Sequence, residues 1–218
     1  LLYRYLARDV WFTRGSDILI ATSDADVWKY QKLYGVPASR IRKVFNGIDT
    51  QLFAPSRAAR VSALRRSLNL GDDEKVILAL ARLQKDKGVQ NAIIVMPRIL
   101  KQLKARVIVV GDGDYRAALE KRARETGVAD KILFVGAKSL AECADYFNLC
   151  DIFVDPTLRT DGYDLTVGEA MACGKPVIVS DVGANSTLID AATMRDGMMN
   201  FQPHAILKSG FCATSAVA

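Results

Sequence analysis

Five short, unbroken apolar runs constrain this chain more than any other feature: residues 76–81, 107–110, 132–135, 152–154 and 177–179. Each is too short for a core helix, and none alternates apolar with polar residues. A strand that is apolar at every position needs cover on both faces, which is the situation of a parallel sheet held between helices. The stretches between the runs supply those helices, since residues 90–103, 116–126, 140–149 and 165–172 are amphipathic. Strand and helix alternate without a self-similar repeat, so the expected fold class is α/β, a doubly wound parallel sheet of the Rossmann-like kind. Right-handed crossovers and the strand order 3-2-1-4-5 then put the first and fourth strands side by side. Ligands of such sheets bind where the order reverses, beyond the carboxyl ends of the strands.

The flanks are less regular. A helical pattern over residues 1–15 is already running at Leu1, so the chain is expected to begin inside something larger. A strand over 18–22 leads to a helix capped by Ser23 and reaching about Leu33, with a brief strand at Val44-Phe45 and a helix over 57–68. Beyond Asp181 the pattern weakens to a short helix at 186–192 and a tail over 201–218 that shows no period.

Composition removes several classes. Half of the 218 residues are hydrophobic, enough for a full core, yet no apolar run reaches the ~20 residues of a membrane span. The net charge of +6 suits an anionic ligand without demanding one, and a solvated surface is its default meaning. No motif points to nucleic acid. Cys143, Cys150, Cys173 and Cys212 have no C-x-x-C spacing and read as free thiols of a reducing compartment, so the expected location is cytoplasmic. His204 is the only histidine, which excludes a multi-histidine metal site; no metal and no cofactor are expected.

The chemistry gathers in residues 155–181, which read as strand end, polar loop, helix, tight turn and strand. The loop carries Asp161 and Asp164 and the helix carries Glu169. A helix N-terminus offers unpaired N–H groups and a partial positive charge to a phosphate, and carboxylates nearby can accept from sugar hydroxyls. Solvated acids on an ordinary α/β loop are the bland alternative. Across the expected crevice, the loop after the first strand carries Arg82 and Lys87, two cations suited to a diphosphate. No G-x-G-x-x-G follows the first strand, which ends Leu80-Ala81-Arg82, and no P-loop is present; a dinucleotide site is therefore not expected.

In four stretches the chain resembles the retaining, two-lobed (GT-B) glycosyltransferases of the family 4 kind, also called glycosyl transferases group 1. Asn46-Gly47-Ile48-Asp49 followed by Phe53 looks like the family's segment before its second lobe. Ala81-Arg82-Leu83 with Lys87-Gly88 looks like its Gly-Arg-Leu…Glu-Lys-Gly loop. Val109-Val110-Gly111-Asp112-Gly113 resembles its Val-Gly-x-Gly. The run from Asp161 through Asp164-Leu165, Glu169-Ala170-Met171-Ala172 and Gly174-Lys175-Pro176-Val177 resembles its Glu-x-Phe-Gly-Leu…Glu-Ala-Met-Ala-x-Gly-x-Pro-Val.

The resemblance implies transfer of a sugar from a nucleotide-sugar (UDP-, GDP- or ADP-linked) to an acceptor, with retention and without a metal. Arg82 and Lys87 would hold the diphosphate and stabilise the leaving nucleotide. Glu169 would accept from the ribose, and Asp161 would contact the donor sugar. Leu165 and Thr166 would offer backbone N–H groups to the phosphate, and the loops at Gly111 and Gly136 would border the base. Residues 1–50 would be the end of the N-terminal, acceptor-side lobe and the linker, 51–200 the nucleotide-sugar lobe, and 201–218 an irregular tail. The chain would supply the donor-binding part and be incomplete alone, needing the acceptor lobe or a partner subunit. The basic stretch 116–124 reads first as a solvated face, with contact to an anionic membrane as the alternative.

The departures from the family's pattern bear on function. Asp161 is one methylene shorter than the family's Glu, about 1.5 Å of reach. Asp164 stands where the family has Gly, so a negative side chain would repel donor phosphate unless Arg159 paired with it. A non-catalytic nucleotide-binding or interaction module derived from such an enzyme is therefore the second reading. A GT-B epimerase or phosphorylase is a third.

Overall fold

The computed structural model describes residues 10–55, 58–160, 164–185, 188, 206–208 and 212–213. Its main sheet contains β3 (Lys75–Leu80), β4 (Ala105–Val110), β5 (Ile132–Gly136), β6 (Ile152–Asp155), β7 (Val177–Ser180), β8 (Ile206–Lys208) and β9 (Cys212–Ala213). The spatial order is β5-β4-β3-β6-β7-β8-β9. All pairings from β5 to β8 are parallel, and β9 closes the edge antiparallel to β8. Counted from β3, the first five strands follow 3-2-1-4-5, the expected order, and β3 and β6 lie side by side. Within the tail over 201–218, where the sequence shows no period, β8 and β9 extend the sheet, a departure from the irregular tail expected there.

The unbroken apolar runs have a direct physical cause. Successive strand side chains point to opposite faces. Val76 and Leu78 of β3 join Ile108, Val110, Phe147 and Phe153 in one core, while Ile77 and Ala79 join Val107, Val109, Ile93 and Met96 in the other. Helices α2 (Ala58–Ser67), α5 (Leu140–Leu149) and α6 (Leu165–Ala172) belong to the first layer; α3 (Val89–Ile99) and α4 (Arg116–Glu125) belong to the second. A capping box between Ser139 and Glu142 fixes the start of α5. Phe147 stacks edge-on with both Phe53 and Phe153, at centroid distances of 5.9 and 5.3 Å, tying α5 to the sheet. The basic residues of α4 pair along the helix, Arg116 with Glu120 and Lys121 with Glu125, which is the pattern of a solvated face.

The N-terminal residues form a separate small unit. Here β1 (Leu19–Ala21) pairs in parallel with β2 (Ile41–Lys43), and Ala21, Tyr34, Val36 and Ile41 make its core. Between them, α1 (Asp24–Trp28) starts at Ser23, whose hydroxyl accepts from the Asp26 amide, and it runs into a π-helical turn over Lys29–Leu33. The strand expected at Val44-Phe45 lies earlier, at 41–43. Its inward residue is the isolated Ile41, flanked by cations, and Val44 is 51% exposed. The helix expected over 90–103 ends at Ile99, after Pro97 has removed one ladder hydrogen bond. The helix expected at 186–192 and the pattern over 1–9 fall mostly or wholly outside the described residues.

At the junction of β3 and β6 the backbone leaves no room for side chains. Gly88 sits at φ +69°, and a Cβ there would lie 1.7 Å from the Pro156 carbonyl oxygen. Both the left-handed backbone and the contact exclude other residues. Gly88→Ala is expected to destabilise the fold by at least about 2–3 kcal/mol, lowering Tm by roughly 5–10 °C. A thermal melt of the variant that superimposes on the wild type would refute this packing.

Candidate functional site

The site begins with the two loops that leave β3 and β6. After β3, Leu83 donates to the Asp112 carbonyl at 2.9 Å and accepts from the Tyr115 amide at 3.0 Å, which anchors the loop to the segment after β4. A single 3-10 turn over Lys85–Lys87 then swings Lys87 inward, to 8% exposure. The loop after β6 joins it: the Leu158 amide donates to the Asp86 carbonyl at 2.7 Å. The two loops therefore form one wall at the carboxyl edge of the sheet, where the strand order reverses.

Lys87 donates from Nζ to Asp164 Oδ1, and the two side chains are only 10% and 16% exposed. The pairing alters α6 as well. Asp164 occupies the N-cap position, yet its carboxylate caps no backbone amide because it is turned to Lys87. The first amides of α6, including those of Leu165 and Thr166, therefore have no side-chain cap from this residue, and the helix dipole adds partial positive charge there. The pairing on which the sequence made Asp164 conditional is supplied by another cation: Lys87 pairs with Asp164, and Arg159 Nε lies 3.8 Å from Asp86 Oδ2. Arg82 is exposed at the end of β3 and forms no ion pair among the described residues.

Gly111 and Gly136 close the carboxyl ends of β4 and β5. The Gly111 amide donates to the Gly136 carbonyl at 2.9 Å, and a Cβ on Gly111 would lie 1.9 Å from the Ala81 carbonyl oxygen, so the three loop starts are packed backbone to backbone. Glu169 lies one turn along α6 from Leu165, on the same face. It is half-buried, no hydrogen bond to its carboxylate is formed among the described residues, and burial alone pushes its pKa up. An acid in that state is ready to accept from a hydroxyl. Asp161 lies outside the described residues.

Sequence reasoning gives Asp155 no role, yet it is 5% exposed at the end of β6. Its pKa is pushed up to about 7, first by burial and then by the Asp164 carboxylate, with Lys87 opposing. The Asn185 amide also opposes the rise, although neither Asp155 Oδ2 nor Asn185 Nδ2 completes a hydrogen bond among the described residues. The available signal was an acid closing an apolar strand, Ile152-Phe153-Val154-Asp155, at the ligand edge of the sheet.

Other features carry less chemistry. Cys143, Cys150 and Cys173 are free and buried, and burial pushes Cys150 up to about 12 and Cys173 up to about 11, so they are inert thiols. An apolar cavity of about 120 Å³ lies between α3 and the strands, lined among others by Ile77, Met96, Ile152 and Ile178, and it offers nothing to a phosphate. No group of three or more metal-ligating side chains occurs among the described residues, and no described helix is long and apolar enough to cross a membrane.

The raised pKa of Glu169 has a consequence for stability. The folded state binds its proton more tightly than the unfolded state does. The resulting destabilisation is absent below the unfolded pKa, grows as pH rises to the folded pKa, and is complete above it. Glu169→Gln should therefore raise Tm slightly at pH 8, on the order of one or two degrees, with the gain shrinking toward acid. A gain that is the same at every pH would show that charge burial is not its cause.

Comparison with known proteins places this arrangement. The sequence model described as "Glycosyl transferases group 1" matches residues 61–199. An uncharacterized glycosyltransferase of Methanocaldococcus jannaschii is 32% identical over 158 residues, covering 72% of this chain and 40% of the relative. A GDP-mannose-dependent alpha-(1-6)-phosphatidylinositol monomannoside mannosyltransferase of Mycobacterium tuberculosis is 31% identical over 176 residues, covering 78% of this chain and 45% of the relative. The chain thus spans less than half the length of these relatives. The crystal structure of Anabaena HepE in complex with UDP and glucose shares the fold, with a TM-score of 0.76 at 23% identity over 85% of this chain and 50% of that one. With the family model matched across β3 to β7 and the cations, glycines and acids placed at the carboxyl edge of one doubly wound sheet, the chain belongs to the glycosyl transferases group 1 family.

Proposed function

We propose that this chain is the donor-binding part of a retaining glycosyltransferase that moves a sugar from a nucleotide-sugar to an acceptor. The observation that carries the reading is Lys87, buried at the strand-order reversal beside the uncapped start of α6. Lys87, exposed Arg82 and the amides of Leu165 and Thr166 would hold the diphosphate and stabilise charge on the departing nucleotide. Glu169 would accept from ribose hydroxyls, and Asp161 would contact the donor sugar. The backbone at Gly111 and Gly136 would border the base. The reaction would need no cofactor beyond its nucleotide-sugar substrate. Both a GDP-mannose-dependent relative and a UDP-bound structural neighbour leave the base to measurement.

Residues 1–50 are proposed as the end of the acceptor-side lobe with its linker, residues 51–200 as the donor lobe and 201–218 as a tail. In support, the small β1–β2 sheet has its own core and leaves Ile18 and Ile20 50% and 61% exposed, as at an interrupted sheet. Transfer is then expected only with the acceptor lobe present, on this chain's longer form or a partner subunit.

Titration calorimetry with UDP-glucose, GDP-mannose and an ADP-sugar tests the donor site. Lys87→Ala should weaken the preferred donor by at least about tenfold, the loss of a charge-assisted contact, and Arg82→Ala should weaken it further in combination. Equal affinity in the double variant would remove these residues from the site. The second reading, a non-catalytic module, is favoured by the pairing of Lys87 with Asp164. If Asp164 simply blocks the site, wild type will bind no donor at any pH and Asp164→Gly with Asp161→Glu will restore binding.

A further inference from the structure

We propose that Asp155 and Asp164 are positioning residues for Lys87, arranged so that engaging a donor diphosphate requires uptake of one proton, and that donor affinity therefore rises as pH falls. The inference rests on the donor-site reading above and adds a regulation to it. Three groups make the device: one cation, Lys87, and two carboxylates, all at least four-fifths shielded from water. In the free chain Lys87 is committed to Asp164. To meet a phosphate its ammonium must leave that partner, and Asp155 and Asp164 then lose the cation that balances them. Two adjacent carboxylates away from water do not both stay ionised, so one takes a proton from solvent.

Asp155 is the natural receiver. It is the more buried acid, its Oδ2 has no hydrogen-bond partner among the described residues, and its pKa is already raised in the free chain. The groups that face it from each packed element are Lys87 from the loop after β3, Asp164 from the start of α6 and Asn185 from the turn after β7. Asp86 and Arg159 face each other nearer the surface, with side chains 50% and 28% exposed. Arg82 is exposed, and Glu169 lies farther along α6. The proton balance is simple: one proton passes from solvent to the carboxylate pair, and Lys87 keeps its charge while changing partner. Binding weakens as pH rises past the pKa of the free chain and levels off above the higher pKa of the donor-bound pair, where no proton is taken up.

The test is calorimetric titration of the chain with UDP-glucose, GDP-mannose and an ADP-sugar, whose diphosphates carry no proton that titrates near neutrality. It is run between about pH 6 and 8.5 in buffers of different ionisation enthalpy, so that heat reports protons directly. The expected result is uptake of up to about one proton and an affinity that falls by up to about tenfold per pH unit as pH rises. Asp155→Asn, the neutral isostere, should lose the pH dependence and bind at high pH as tightly as wild type does at low pH. Asp164→Gly should also lose it, which guards against a folding defect in the first variant. Wild-type binding that is independent of pH, with no proton uptake, overturns this inference and leaves the donor site standing. Binding by Asp164→Gly alone, at any pH, overturns it in favour of a blocked site. Absence of binding by wild type and both variants overturns it together with the donor-site reading.

Discussion

Ile77 and Leu78 of β3 stand in parallel register with Ile152 and Phe153 of β6, although two strands and three α-helices of chain separate them. The rest of the site follows from that pairing. Two strands that leave the sheet side by side, with helices on opposite faces, open a crevice between their loops. Here the crevice wall is drawn tight. Gly88 packs against the Pro156 carbonyl where any Cβ would collide, and the Asp86 carbonyl accepts from the Leu158 amide. The turn over Lys85–Lys87 therefore cannot lie out in solvent, and Lys87 is carried inward to the start of α6.

Burying that lysine has an electrostatic cost that the chain meets with Asp164, and Asp164 in turn raises the cost of burying Asp155. Removing charges from water costs several kcal/mol per ion before pairing offsets it. One cation between two shielded acids is consequently a poised rather than a settled arrangement, in which burial first and the Asp164 carboxylate second raise the Asp155 pKa. Stability alone gives no reason to keep such a cluster. A ligand that brings its own negative charge, and draws Lys87 away, changes the balance at once. Glu169 adds a second strained group on the same helix: half-buried, without a hydrogen bond among the described residues, and shifted by desolvation alone. Lys87, Asp155, Asp164 and Glu169 thus gather at one edge of the sheet, which is where a polar ligand would bind.

Much of the fold was legible because its cause is local and repeated. Val76-Ile77-Leu78-Ala79 can be apolar throughout only if both faces are covered, and the two cores divide those residues alternately. Leu140–Leu149 and Leu165–Ala172 carry their amphipathic period and their boundary residues in plain sight, so their limits were readable. The strand Ile41–Lys43 was not, because two of its three residues are cations and only Ile41 points inward. Residues 206–208 and 212–213 were not either, since a short edge strand takes its hydrogen bonds from a neighbour and needs no pattern of its own.

The sequence by itself determined the fold class, the order of the sheet and the shortlist of Arg82, Lys87, Gly111, Gly136 and Glu169, since periodicity, crossover handedness and family pattern are all carried by residue types at fixed spacing. It also determined that Asp164, in place of Gly, would bring charge into the crevice. Only the tertiary structure decided which cation meets that charge. Arg159 is five residues from Asp164 and Lys87 is seventy-seven, yet Lys87 is its partner, because the β3–β6 pairing and the Gly88–Pro156 contact outweigh nearness in the chain. The part played by Asp155 was hidden for the same reason: an acid at a strand end becomes consequential only when folding sets a second acid and a shared lysine beside it and removes the water.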